Sequence, residues 1–351
     1  MKKPLIYLLI ALPLLFNACS NDDDIVQPPV ETEKGVVIIN EGLFGQNNSS
    51  VTYYDLTTGE ATQNDYAAAN NGADLGDTAN DMEIFEGKGY IVVNVSKKLE
   101  VVNMSDFSSA GSIDFTDYGD PREVTIISAS QGFVTTYNDI VVEFNPSNLS
   151  ITDTIVVGSK PEGIVYHSGG IFVANSGWGN GSTVTAINVN GKSGASNIEV
   201  GVNPRTLLTD ENFVYAICSD NYFSPTGREG IYKIDPATLT LVDSIIIGGS
   251  PGDAAIGNGK LFVVNATGLV SVDLNSFTIE NETLISANDV NSFGFGIYSI
   301  GYDKNNELIY LGNPKDFTQN GNVAVFDISG VEKNRIDAGI NPGTILFYVS
   351  Q

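Results

Sequence analysis

Histidine and cysteine are nearly missing from this chain, with one histidine, His167, and two cysteines, Cys19 and Cys218, in 351 residues. Two cysteines cannot make a disulfide framework. Without a second histidine or a cysteine cluster there is no zinc-type ligand set. A histidine-based triad or relay would rest on His167 alone, and a strand end or hairpin is the simpler place for that residue. Basic residues are also scarce: 17 Lys plus Arg stand against 42 Asp plus Glu, a formal charge of -25. Such a surface repels phosphate backbones, which argues against nucleic acid as a partner. Beyond residue 20 no long run has a 3.6-residue apolar period, and this argues against a helical fold.

What the chain does have is turns. Its 37 glycines and 13 prolines punctuate short β-branched and aromatic stretches, the pattern of antiparallel strands. Residues 242–274 show the unit: an alternating strand, a Gly-Gly-Ser-Pro turn, another strand, an Asn258-Gly259 hairpin turn, an apolar strand, a loop, and a strand closed by Asp273. Asn-Gly tolerates the two positive φ values that a two-residue hairpin needs. Cys218 ends an apolar run and reads as a small buried hydrophobe.

The N-terminus reads differently. Met1-Lys2-Lys3 is a basic n-region and residues 5–16 an apolar h-region too short to span a bilayer, so residues 1–18 are expected to be a signal peptide. Phe16-Asn17-Ala18-Cys19 looks like a lipobox, which makes Cys19 the expected lipidated N-terminus. The acidic Ser20-Asn21-Asp22-Asp23-Asp24 and the Pro28-Pro29 pair place a flexible linker over residues 19–34.

From residue 35 an Asp or Asn ends a strand at Asp55, Asn103, Asn145, Asn188, Asp235, Asp273 and Asp327, with a spacing of about 45 residues, that of four-stranded propeller blades. Such a side chain accepts hydrogen bonds from backbone N–H groups just ahead and closes the turn. A second mark, Gly-x-x-Pro at Gly158–Pro161, Gly201–Pro204, Gly248–Pro251 and Gly339–Pro342, is where an outer strand crosses to the next inner strand. Residues 343–349 lack partners after them and residues 36–40 begin a blade without an inner strand. Pairing the two closes the ring and hides two edges. The expected fold is an all-β, seven-bladed β-propeller over residues 35–351, its C-terminal strand joining the first blade.

Asn40-Glu41-Gly42-x-Phe44, Leu75-Gly76-Asp77 and Gly87-Lys88-Gly89-Tyr90-Ile91-Val92-Val93-Asn94-x-Ser96 give the chain a resemblance to YncE-like propellers, and more narrowly to propeller lipoproteins of Bacteroidetes outer membranes. Residues 20–24 similarly resemble the acidic export tag of those lipoproteins. The resemblance implies an outer-membrane lipoprotein facing the cell exterior and anchored by lipid only. Some members of that group capture cobalamin and hand it to a TonB-dependent transporter. A corrinoid is thus the specific ligand it implies.

The residue after each crossing proline is expected at the channel mouth: Arg122, Glu162 and Arg205, with Gly252, Gly343, Asp81 and Phe295 in equivalent places. Arg122 and Arg205 are two of only four arginines. They either donate to a ligand or form, with Glu162, an ion-pair ring stapling three blades. Loops between second and third strands add Phe44, Tyr137, Trp178, Tyr222, Phe223 and Phe317, rings that suit a flat or amphipathic ligand unless they fold onto the blade edges. No motif marks a cofactor, an EF-hand calcium loop or a sialidase-type arginine cluster. The chain is therefore expected to bind rather than catalyse, with a small molecule, or alternatively a protein partner, as its target. A carboxylate-dependent hydrolase is the third reading.

Overall fold

The alternating and apolar stretches between turn signals are short antiparallel strands, and they assemble four at a time. The computed structural model describes residues 33–191 and 195–349. The proposed signal peptide, Cys19 and the acidic stretch after it lie outside the described residues. Seven four-stranded sheets form a seven-bladed β-propeller: blade 2 spans residues 79–114, blade 3 121–156, blade 4 161–199, blade 5 204–246, blade 6 254–286 and blade 7 299–340. Blade 1 takes three strands from residues 33–63 and its inner strand, Pro342–Val349, from the other end of the chain. Its second strand, Glu33–Asn40, pairs with that C-terminal strand from Glu33 opposite Val349 to Asn40 opposite Pro342. Glu33 and Lys34, read above as linker, thus lie within the closing sheet.

Both faces of each blade are covered, which is why the strands read as continuous apolar runs. Seven hydrophobic clusters fill the seven seams between neighbouring blades. The seam between blades 1 and 2, for example, holds Val37, Ile39, Leu75, Met82 and Ile91. Burial of a whole aliphatic side chain contributes about 1.5–3 kcal/mol.

Each Asp or Asn that marks the repeat ends the third strand of its blade. Asp55 accepts from the N–H groups of Thr57 and Thr58 at 2.7 and 2.9 Å, and Asp235 from Ala237 and Thr238 at 2.8 and 3.2 Å. Four places on, Phe107, Leu149, Leu239 and Phe277 have φ of 50–58°, a left-handed conformation held because each apolar side chain is packed into the blade. Asn258 and Gly259 have φ of 50° and 71°, as their hairpin requires. At two of the four Gly-x-x-Pro marks the Gly meets a buried asparagine of the following blade, a Cβ at Gly158 lying 2.3 Å from Asn175 and one at Gly339 2.7–2.8 Å from atoms of Ser50 and Asn40, whereas Gly201 meets the Tyr232 ring and Gly248 faces open space.

Candidate functional site

Inner strands begin at the end of the blade where second strands finish, since Pro161 pairs with Asn175 and Pro204 with Cys218. The crossings between blades and the second-to-third-strand loops therefore share one face, the mouth of the central channel. At the start of five inner strands the pairing slips. Arg122 and Glu123 together oppose Thr135, Glu162 and Gly163 oppose Ala174, and Arg205, Asn80 and Gly343 are each an extra residue. A bulge re-aims the side chains it carries. Here the bulged residues other than Gly163 line one cavity of about 530 Å³ together with Glu41, Asp81, Asp253 and Tyr298.

Arg122 donates to Glu162 through Nε and Nη2 at 2.9 and 2.8 Å and to Asn80 through Nη1 at 2.8 Å. Tyr137 donates its hydroxyl to the other Glu162 oxygen at 2.6 Å, with the Arg122 guanidinium 5.0 Å from its ring centre. Trp178 stands edge-on to Tyr137 at 5.6 Å with the Lys160 ammonium over its own ring. Across the mouth, Tyr298 donates to Glu41 at 2.7 Å and packs edge-on against Phe317, which meets Phe295. Phe295, expected at the channel, stands instead on the rim, and Tyr298 takes the inner place. Arg205 lines the cavity but makes no hydrogen bond or ion pair among the described residues.

The channel carboxylates are a feature that sequence reading had only in part, through Asp81. Asp81 accepts the N–H of Val124 at 2.9 Å, Glu83 that of Ile126 at 2.9 Å, Glu123 that of Ile164 at 3.2 Å and Asp253 that of Ile300 at 2.9 Å. Each bond joins one inner strand to the next. Inner strands are edges, and these side chains occupy the edge N–H groups that would otherwise stay unpaired. Burial in the narrow channel raises the pKa of Asp81, Glu123 and Glu41, takes Asp253 to about 6 and Glu83 to about 8. A signal was present in sequence: two places after four of the five crossing prolines stand Glu123, Thr206, Asp253 and Thr344, polar residues in otherwise apolar runs, with Gly163 at the fifth. Thr206 and Thr344 also reach across, donating to the carbonyls of Gly252 and Asn80 at 3.1 and 2.9 Å.

The rim is uneven. Long segments occupy residues 41–49 and 64–78 beside blade 1, 176–182 and 219–229 on blades 4 and 5, and 287–298 before blade 7, whereas loops 94–97, 137–139 and 266–267 of blades 2, 3 and 6 are short. The exposed rings follow the long segments: Trp178, Tyr222 and Phe223 on one side, Phe44, Phe293 and Phe295 on the other. Phe44, Tyr222 and Phe223 are 81, 87 and 91 % exposed, so they project from the rim rather than line the cavity. Their loops are fixed from beneath by buried polar side chains. Asp77 accepts the N–H groups of Gly45 and Asn47 at 3.1 and 3.3 Å, and Asp220 those of Asn221, Thr226 and Gly227 at 2.7–2.8 Å. Burial works against the Asp220 charge, but these bonds hold its pKa down at about 2. Asn291 accepts from Phe293 and donates to the carbonyls of Gly296 and Lys315. Trp178 has φ of 51°, an uncommon conformation for a bulky residue.

His167 closes the inner strand of blade 4 at the opposite end, its Nδ1 2.7 Å from Thr209 Oγ1. Cys218 is a free, buried thiol whose pKa is pushed up by burial. Among the described residues no group of three His, Cys, Asp or Glu side chains is placed to hold a metal.

Residues 34–221 match the family described as "Domain of unknown function (DUF5074)". The chain belongs to the DUF5074 family. No curated protein matches its sequence. In architecture the DUF5074 chain is similar to a quinoprotein alcohol dehydrogenase-like protein of Bacteroides thetaiotaomicron, with TM-score 0.67, 17 % identity, and 90 % of this chain and 78 % of that one covered. Hydrazine synthase of Kuenenia stuttgartiensis gives TM-score 0.63 at 12 % identity, covering 78 % of this chain and 95 % of that one. The computationally designed Ika8 protein gives 0.57 at 10 %, covering 90 % and 96 %. At these identities the likeness is one of fold, and function has to be argued from the site.

Proposed function

We propose that this protein is a binding protein rather than an enzyme, held on the outer face of the outer membrane by lipid on Cys19. In this reading it captures a small nutrient at the channel mouth and passes it to a TonB-dependent transporter. One observation carries the binding role: exposed aromatic rings gather around a polar cavity on loops that buried Asp77, Asp220 and Asn291 hold rigid. Large rings left in water sacrifice hydrophobic stabilisation in the free protein. Fixing them in advance lowers the ordering cost of binding.

A corrinoid is the specific candidate. Its flat macrocycle would rest on the two aromatic arcs and extend its amides and phosphodiester arm toward the polar cavity of about 530 Å³ beneath. A hydrolase is less well supported, because Asp81 and Glu123, adjacent carboxylates in the channel, already accept backbone N–H groups of the neighbouring blade. Turnover of a glycan abolished by Asp81→Asn would reverse that judgement.

Isothermal titration of the protein beginning at Ser20 against cobalamin and a panel of glycans is the direct test. Absence of heat with every corrinoid removes that candidate. Unchanged affinity in Trp178→Ala, Arg122→Ala and Arg205→Ala moves the site away from the mouth. A protein partner is the second reading, favoured by the near-complete exposure of Tyr222 and Phe223, and stoichiometric capture of a protein that small ligands do not displace would support it.

A further inference from the structure

The positions that follow the crossing prolines are alike in register and unlike in what they have left to offer. Arg122 commits its donors to Glu162 and Asn80, and Glu162 is taken by Arg122 and Tyr137. Arg205, one blade further on, is exposed, borders the same cavity and has no hydrogen-bond or ion-pair partner among the described residues. On the next blade the equivalent position is Gly252, where an added Cβ would meet no atom within 4 Å. A forked donor and an open piece of floor thus lie on adjacent inner strands.

The carboxylates nearby do not take the place of a partner. Asp253 turns its oxygens to the N–H groups of Ile300 and Ala254, Asp81 turns one to Val124, and Glu41 accepts from Tyr298. Burial raises the pKa of all three, and Glu41 and Asp253 interact with Arg205 through space only. A guanidinium presents paired, coplanar N–H donors that match the two oxygens of a carboxylate or phosphate. Within a half-enclosed cavity that match is screened less than at an open surface.

We propose that Arg205 and the open floor at Gly252 form a subsite for an oxyanionic group of the ligand, a carboxylate or a phosphate, while the flat or apolar remainder rests on the ridge of Trp178, Tyr222 and Phe223. The assignment rests on the channel-mouth reading and adds to it the charge and geometry of the group that is read. It also separates the two arginines: Arg122 is a positioning residue for Glu162 and Tyr137, and Arg205 contacts ligand.

Trp178 is the only tryptophan in the chain, so its emission reports on this ridge alone. The protein beginning at Ser20 is titrated by calorimetry and by Trp178 emission with two pairs of probes. Cyanocobalamin carries a phosphodiester and cobinamide does not; trigalacturonate carries carboxylates and maltotriose does not. In at least one pair the member that bears the oxyanionic group should bind about tenfold or more tightly than the member that lacks it. Arg205→Gln should erase that preference without weakening the member that lacks the oxyanion, and Gly252→Phe should abolish binding. Both variants should melt with the parent, since one changes an exposed side chain and the other enters open space. Equal binding within both pairs, a preference that survives Arg205→Gln, or no binding of either oxyanion-bearing probe overturns the subsite. A ligand indifferent to Gly252→Phe would remove the channel-mouth reading itself. Sensitivity to Gly252→Phe with indifference to Arg205→Gln would keep the mouth and remove only the subsite.

Discussion

Arg122 and Glu162 meet across the seam between blades 3 and 4, with Nε 2.9 Å and Nη2 2.8 Å from the same carboxylate oxygen. Both side chains are largely buried, at 16 and 8 % exposure. Burial opposes the Arg122 charge, and the adjoining Glu162 carboxylate more than offsets it, holding the guanidinium above its ordinary pKa. Removing one partner strands the other. Glu162→Ala should destabilise the protein by about 3–5 kcal/mol, and an apolar replacement of both residues should cost less than either single change. Denaturant unfolding of the three variants measures this, and a loss under about 1 kcal/mol for Glu162→Ala would mean that water screens the pair as at an ordinary surface.

Acidity should stabilise the fold between neutral pH and pH 5. Burial raises the pKa of Glu83 to about 8, of Asp253 to about 6 and of Glu33 to about 7. A group raised in the folded state holds its proton there after the unfolded chain has released it. Its stabilisation is complete below the unfolded value near 4 and is lost as pH rises through the folded one. Asp220, lowered to about 2, acts in the opposite sense but only below pH 4. The melting temperature should therefore fall by on the order of 5 °C from pH 5 to pH 9, and Glu83→Gln should flatten the upper part of that slope. A melting temperature that rises across this range would refute the assignment.

The blades were legible because their signals are local and repeated. A turn that needs Asp235 to catch two N–H groups, or a hairpin that needs Asn258-Gly259, states its requirement within a few residues. Ring closure was legible from the unpartnered apolar strand at residues 343–349. The floor of the mouth was legible only through its proline marks, since a bulge is a property of pairing and does not show in one strand's sequence. Glu83, Glu123 and Asp253 were hard to single out for another reason. Their partners, like that of Asp81, are backbone N–H groups one blade away, more than forty residues on in every case, and a backbone donor leaves no trace in residue type. Phe295 was placed at the channel, where Tyr298 stands, because the connection before blade 7 contains the short helix Ala287–Val290 and lacks the proline that fixed the count elsewhere.

The hairpin between the first two strands of blade 2 offers a stabilising change. Glu86 and Gly87 have φ of 47° and 72°, close to the 50° and 71° of Asn258 and Gly259 in blade 6. Glutamate is a poor occupant of that conformation and asparagine a good one. Glu86 is exposed, so little packing is at stake. Glu86→Asn should raise stability by about 0.5–1 kcal/mol, read as an upward shift in melting temperature, and Asn258→Glu should lower it by a similar amount. Equal stability of parent and both variants would show that the turn is not strained.

Closure of the ring should govern whether the propeller unfolds as one unit. Strand Glu33–Asn40 has Pro342–Val349 on one side and Ser50–Asp55 on the other, so loss of the C-terminal strand would turn an interior strand into an edge. It would also uncover Val36 and Ile38, which are 0 % exposed and pack with Ile345 in the seam between blades 7 and 1. Ending the chain at Pro342 should therefore yield a protein that associates through the freed edge, visible as higher oligomers in size-exclusion chromatography. The converse change is more informative because it leaves the sheet intact. Val37 and Leu346 are directly paired, and a disulfide in Val37→Cys/Leu346→Cys would tie the first strand to the last across nearly the whole described chain. Constraining so long a loop in the unfolded state should add on the order of 3–5 kcal/mol, and buried Cys218 is poorly placed to compete for either new thiol. Comparison of oxidised and reduced melts isolates the effect. Identical melts, with the bond shown to be formed, would mean that the ring opens elsewhere first and that the closing seam is not where unfolding starts.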